Sequence, residues 1–377
     1  MTAATETLPY PRFSDAEMAR RRDALAAELQ AAGAAHAVIY GANRAGPAVG
    51  WLTRWPVTRE ALCVFTPGER DVLLVNFYNH VPNAVRIATE AEVRWAGPKP
   101  MATAIEELER RGVRSGRVGV IGPLGYRAHA ALEELARPVS LDAAYTRLRL
   151  RKSAEELDWL RIGCAFTDHA VRAVHEQAGP GTDERELGNL AERAYVGRGG
   201  TTHIHYFGTP VPAQWPAARA LERGDVLTCE ISASHWDYTG QLLRTFTVGD
   251  DPPPLYGELH EVADAAFDAL FERVRPGATA AELVEASAVI GDSGFTTRDD
   301  LVHGFVGGYL PPVLGTRSRA LAPVPDFTFA AGMTVVVQPN VVTPDETAGV
   351  QTGELLLVTE SGAARLHTVP RGLLPVG

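Results

Sequence analysis

The stretch RLRLRKSAEELDWLRIGCAFTDHAVRAVHEQ, residues 147–177, divides this chain into halves that follow different patterns. It reads as one long helix, with Ser153 as the cap and Glu155 and Glu156 behind it. Before it, strands and helices alternate. SDAEMARRRDALAAELQAAG runs at helical spacing from a Ser/Asp cap to a Gly stop. AHAVIYG and ALCVFTPGERDVLLVNF read as strands, the second a pair joined by a Gly-containing turn. PMATAIEELERRG follows as a helix, RVGVIG as a strand and YRAHAALEELA as a helix. Alternation of this kind predicts a small α/β domain. Beyond residue 177 the strands are grouped. A helix (DERELGNLAERAYVGRG), a two-stranded ribbon and two helices at about 255–274 and 279–293 lead to three strands, HGFVGGYL, MTVVVQPNVVTP and GELLLVTESG. That half is α+β, and the domains are expected at 1–150 and 151–377.

The ribbon GDVLTCEISASHWDYTGQLLRTFTVG, residues 224–249, poses the functional question. Two apolar runs flank a polar turn. A turn centred near His235–Trp236 would set Glu230 opposite Gln241, on one face. A buried acid is costly unless it is paired, so an acid beside an amide in an apolar ribbon indicates a polar site. His235, Asp237 and Tyr238 are expected at the exposed tip. Strand parity puts His203 and His205 of THIHYFG on one face.

A net charge of -10 with no Lys/Arg block argues against nucleic acid and against an anionic membrane surface as partners. The N-terminal residues lack an apolar leader core and no run reaches membrane-spanning length, so a cytoplasmic protein is expected. Cys63, Cys164 and Cys229 are scattered and odd in number, which reads as reduced core thiols. Neither a nucleophile motif nor a phosphate-binding loop is visible.

Six segments, RLRLRKSAEELDWLR, LERGDVLTCEI, GQLLRTFTVG, VHGFVGG, AAGMTVVVQPN and GELLLVTESG, occur in the order seen in the creatinase/aminopeptidase P/prolidase family, which this chain resembles. YGANRAGPAVGWLTRW resembles a segment of that family's N-terminal domain. The resemblance implies an α/β N-terminal domain followed by an α+β "pita-bread" C-terminal domain. The family's metallopeptidases bind two divalent metals through two Asp, one His and two Glu. Motif by motif, those positions fall on Glu230, Gln241, His303, Gln338 and Gly353. Leu310 and Ala213 stand where assisting histidines would fall.

One carboxylate, one imidazole and two amides cannot offset the roughly four positive charges of a dinuclear centre. The expectation is therefore a creatinase-like enzyme without metal or other cofactor, hydrolysing a C–N bond of a small carboxylate-bearing nitrogen compound. Creatine itself fits poorly, since Ala213 and Leu243 replace creatinase's catalytic His and a Glu. Glu230, His303, His203 and His205 are the candidate acid/base groups, with Glu230 and His303 expected within one side chain or one water of each other. Gln241, Gln338, Tyr309 and Arg59 are the candidate substrate contacts. By resemblance, Arg59 would reach the substrate carboxylate from the partner of a homodimer, and Trp51 and Trp55 have no obvious role in a monomer. Arg244 is expected to be structural, facing away from Gln241. Two alternatives stay open: a mononuclear metal site built from Glu230, His303 and His203 or His205, and a catalytically silent binding module.

Overall fold

The computed structural model describes residues 10–43 and 45–377. Most of the segment on which the expected lack of a leader rests lies outside the described residues, as does Arg44 of YGANRAGPAVGWLTRW. The chain divides between Arg149 and Leu150 into two units.

The first unit runs α1 (Asp15–Ala31), β1 (His36–Ala42), α2 (Ala48–Thr53), β2 (Glu60–Phe65), β3 (Val72–Val75) and α3 (Val81–Ile87). It continues with β4 (Glu92–Trp95), α4 (Pro100–Arg110), β5 (Arg117–Ile121), α5 (Tyr126–Leu135), β6 (Arg137–Ser140) and α6 (Asp142–Leu150). Its six strands form one mixed sheet in the order β4-β3-β2-β1-β5-β6. Val38, Leu62, Leu74, Val118 and Leu132 are among the residues of its core. Trp51 and Trp55 are buried in this unit. Trp51 packs edge-on against Tyr145 and lies under the Arg21 guanidinium. The core therefore gives these tryptophans a role within one chain, and they lend no support to a dimer.

The second unit opens with α7 (Ala154–Gln177) and α8 (Glu184–Tyr195). A reciprocal capping box between Ser153 and Glu156 starts α7. Residues 147–150 of the RLRLR segment belong instead to α6, so the long helix starts at Ala154. Next come β7 (Thr201–Gly208), β8 (Val226–His235), β9 (Tyr238–Thr239), β10 (Leu242–Val248) and α9 (Pro254–Arg273). The helix expected over 279–293 breaks at Ser287 into α10 (Ala280–Ala286) and α11 (Ala288–Asp292). The final strands are more numerous than the sequence suggests. β11 (Thr296–Thr297), β12 (Val302–Phe305), β13 (Tyr309–Leu314), β14 (Thr334–Val337) and β15 (Asn340–Val342) precede β16 (Gly349–Gln351), β17 (Gly353–Val358), β18 (Ala363–Arg365) and β19 (Leu373–Val376). HGFVGGYL splits because Gly307 and Gly308 take positive φ and turn the chain back on itself.

The large sheet follows the path β13-β12-β14-β17-β10-β8-β7. Four strands separate β12 from β7, yet the rings of His203 on β7 and Phe305 on β12 meet at 5.7 Å. The sheet therefore curls. At one end of the curl the two hairpin tips touch, since a Cβ on Gly307 would lie 2.2 Å from the Asp237 carbonyl oxygen. Helices cover the outer face. Phe166, Val171 and Leu187 pack on Cys229, Ile231 and Leu242, and Leu259, Phe267 and Leu283 pack with Val302, Val335 and Leu356.

Candidate functional site

Register alone places five positions on the inner face. His303 pairs with Val336, Val336 with Leu355, Gly353 with Leu243, and Leu243 with Glu230. Cross-strand partners share a face, as do residues two apart on a strand. Gln338 therefore lies on the face of Val336, and Gln241 on that of Leu243. Across β7 the partner of Glu230 is Tyr206.

The hairpin register differs from the one expected. Its turn is Trp236–Asp237, both with positive φ (49° and 68°), which is the signature of a tight type I′ turn. Leu243 rather than Gln241 stands opposite Glu230. Gln241 still reaches it diagonally, with Nε2 donating to Glu230 Oε1 at 3.0 Å. The tip is also less exposed than expected. Tyr238 is buried and its hydroxyl donates to Glu156 Oε1 at 2.8 Å, while the His235 ring packs on Trp159 and Phe166. The hairpin lies directly on α7, because a Cβ on Gly163 would come within 2.2 Å of the Tyr238 carbonyl oxygen. Asp237 alone of the three is exposed.

From Glu230 a chain of hydrogen bonds runs along the inner face. Gln241 Nε2 donates to Glu230 Oε1 and also to Gln338 Oε1, both at 3.0 Å. Gln338 Nε2 donates to Asp300 Oδ1 at 3.1 Å, and the Tyr309 hydroxyl donates to Asp300 Oδ2 at 3.0 Å. The Tyr309 ring stacks on His303, with centroids 4.1 Å apart. The Gln338 side chain also interacts with the His303 ring, so Gln241 and Gln338 together stand between Glu230 and His303. Asp300 is a member that sequence reasoning missed. It sits in the loop before β12, where Asn340 holds it: Oδ1 accepts from the backbone N–H of Arg298 and Asp299, and Nδ2 donates to the Asp300 carbonyl. The one available signal was an unbalanced Asp-Asp pair three residues ahead of His303.

Electrostatics separates these groups. Burial pushes the Glu230 carboxyl up to about 8, and the charges of Asp299 and Asp300 push the same way. Burial and then Asp299 bring Asp300 up to about 7, against the hydrogen bonds from Tyr309 and Gln338. His303, with no exposed surface, is pushed down to about 4 by burial. Its Nδ1 lies 3.2 Å from the Gly304 carbonyl, which assigns the proton to Nδ1. That leaves Nε2 a buried acceptor that meets no donor within hydrogen-bond geometry, while the Gln338 side chain interacts with the ring and opposes the lowering. Ser232 Oγ, on the strand face of Glu230, is likewise buried and unsatisfied.

His203 and His205 do not act as a pair. A bulge between Thr202 and Ile204 inserts one residue, so strand parity fails there. His205 pairs with Ile231 on the helix side, where its Nε2 lies 3.0 Å from the Tyr195 hydroxyl and burial lowers it to about 4. His203 instead meets Phe305. Arg244 faces the helix side and is fully buried. Its guanidinium donates to Glu354 Oε2 and to the carbonyls of Leu243, Gly353, Val369 and Pro370, as a structural residue should. Arg59 is exposed just ahead of β2 in the first unit.

The five positions do not fit a pair of divalent metals. Gln241 and Gln338 are neutral and engaged with each other, and a Cβ at Gly353 would sit 2.6 Å from the Val337 oxygen and 2.7 Å from the Gln338 Cα. Among the described residues, no three His, Cys, Asp or Glu side chains gather in a way that could hold a metal ion, and the set proposed around His203 and His205 is not assembled. Cys63, Cys164 and Cys229 are free and buried. Among the described residues no helix is long and apolar enough to cross a membrane.

Residues 158–360 match the family described as metallopeptidase family M24. The Xaa-Pro dipeptidase of Pyrococcus furiosus is 26% identical over 272 residues, covering 68% of this chain and 75% of that protein. The creatinase of a Bacillus species is 24% identical over 288 residues, covering 70% and 69%. Among solved structures, the X-Pro aminopeptidase of Thermotoga maritima superposes with a TM-score of 0.82 at 16% identity, covering 94% of this chain and 99% of that one. The α/β unit followed by a pita-bread unit is thus the fold of this chain.

Proposed function

Because the chain belongs to metallopeptidase family M24, we propose that it is a hydrolase, and one that cleaves a C–N bond of a small, carboxylate-bearing nitrogen compound without a metal ion. The observation that carries this reading is the bond from Gln241 Nε2 to Glu230 Oε1. The one acid left at the former ligand positions is held by an amide, in surroundings that keep it protonated near neutral pH.

The roles follow from proton affinity. The acid must carry a proton at neutral pH, and Glu230 does. The acceptor must be unprotonated with a free lone pair, and Nε2 of His303 is both. Water adds to the substrate carbon as its proton passes to Nε2. The C–N bond breaks as Glu230 protonates the leaving nitrogen, and proton return to Glu230 closes the cycle. Gln338, whose side chain interacts with the His303 ring, ties that ring to Asp300. In this reading the chain works as a homodimer, with Arg59 of one copy meeting the substrate carboxylate in the other.

The test is to strip the protein with chelator, assay residual metal, and offer amidino-amino acids, N-acyl amino acids and Xaa-Pro dipeptides while following amine release. Turnover of one class by metal-free protein is expected. Binding without turnover across all three would favour the silent binding module, and turnover that returns only with added metal would refute the proposal.

A further inference from the structure

We infer that Cys164 is a modification site, a thiol oxidised by hydrogen peroxide with the help of His367 and Asp168. The three residues lie on the helix side of the large sheet, apart from the face that carries Glu230, so the inference does not depend on the proposed reaction.

The side chains line up as an activated thiol requires. Cys164 and Asp168 stand four residues apart on α7 and share a helix face. His367, in the segment between β18 and β19, reaches in with Nδ1 2.7 Å from Asp168 Oδ1. Asp168 Oδ2 accepts from the Thr368 backbone N–H at 2.8 Å and from the Thr368 hydroxyl at 2.6 Å, which fixes the carboxylate and through it the ring. With Nδ1 committed, Nε2 is left buried with no partner in hydrogen-bond geometry, and the Cys164 thiol interacts with the ring. Nucleophile, imidazole and orienting carboxylate are the parts of a thiol made reactive by its neighbours. Thr368 is exposed, so the cluster lies just beneath the surface.

Charge favours a proton on the ring. Burial alone would lower His367, but the Cys164 thiol and Asp168 outweigh it and bring the ring up to about 10. Glu354 attracts the imidazolium as well. Arg244 and Arg365 feel the charge of Asp168 but are themselves paired with Glu354, and Arg172 donates to the Thr368 hydroxyl. The other two cysteines are equally buried and lack this arrangement: burial raises the Cys63 and Cys229 thiols, which suppresses their reactive thiolates. In the oxidation the sulfur attacks one peroxide oxygen and the O–O bond breaks. The Nε2 proton goes to the departing hydroxide, giving water, and Cys164 becomes a sulfenic acid. Sulfur is oxidised and the peroxide reduced.

The position ties the thiol to the hairpin. A Cβ on Gly240 would come 2.5 Å from the Cys164 Cα, and Thr167 Oγ1 donates to the Gly240 carbonyl at 3.2 Å.

The test treats the reduced, folded full chain with hydrogen peroxide in the presence of dimedone, which traps sulfenic acids, and locates the adducts by mass spectrometry. Cys164 should be labelled at least about tenfold faster than Cys63 or Cys229. Its rate should change by less than about twofold between pH 6 and pH 8, whereas an unpaired thiol gains about tenfold per pH unit. His367→Gln should slow labelling of Cys164 by about tenfold and restore the steep pH dependence, which a purely structural role for the ring would not do. Comparable labelling of all three thiols, no adduct at Cys164, or a steep pH dependence in the unaltered chain would overturn the inference, as would an unchanged rate in folded His367→Gln. If that variant does not fold, the comparison of the three thiols and the pH profile of the unaltered chain decide it.

Discussion

Gln241 Nε2 lies 3.0 Å from Glu230 Oε1 although Leu243, not Gln241, is the cross-strand partner of Glu230. The contact is diagonal, and it commits the amide: one N–H goes to Glu230 and the other to Gln338 Oε1. A carboxylate at position 241 could make neither bond. The amide orients the Glu230 carboxyl, while burial and the charges of Asp299 and Asp300 raise its proton affinity.

Gln241→Leu removes both bonds and leaves two buried oxygens unsatisfied, which costs about 1–3 kcal/mol each. Denaturant unfolding should show a loss in that range. Gln241→Ala and Gln338→Ala should in addition raise KM more than they lower kcat, since both amides orient substrate in this account.

Stability should depend on pH through Glu230. Folded, its carboxyl titrates at about 8 against an ordinary 4.5, so the folded chain holds a proton that the unfolded chain has lost. Stability is then lost as pH rises from 4.5 to 8. Asp300 acts in the same sense up to about 7, whereas lowered His303 adds stability as pH rises from about 4 to 6.5. Asp299 and Tyr309 face the same group. Glu230→Gln deletes the first contribution, so its stability relative to wild type should climb between pH 5 and pH 8 by about a few kcal/mol. A pH-independent difference would show that Glu230 titrates normally.

Much of this was legible beforehand, for identifiable reasons. Ser153 and Glu156 form a capping box whose signal is local, and it survives intact in α7. The hairpin register lies two residues from the expected one because Trp236–Asp237 is an uncommon pair for a type I′ turn. A shift of two preserves faces, so Glu230 and Gln241 still meet. The bulge near His203 is a shift of one, and it misdirected the reading of His203 and His205. Asp300 reaches the site from a loop through tertiary contacts with Asn340, Gln338 and Tyr309, which no periodicity encodes.

Gly353→Glu would restore the residue type expected of the family but not a ligand. Its Cβ must displace the Val337 carbonyl and the Gln338 backbone, a strain of about 1–3 kcal/mol or more. A lower melting temperature without metal uptake is expected. A stable variant that binds zinc or manganese stoichiometrically would mean that the inner face still accepts the older arrangement.

The most direct measurement is turnover by chelator-treated protein of verified metal content, wild type beside Glu230→Gln and His303→Ala. Removing a positioned acid or base typically lowers the rate by ~10²–10⁴. The account predicts full wild-type activity without metal and losses of that size in both variants with the fold retained. Wild-type activity that vanishes on chelation and returns with a divalent ion, or an unchanged rate in Glu230→Gln, would contradict it.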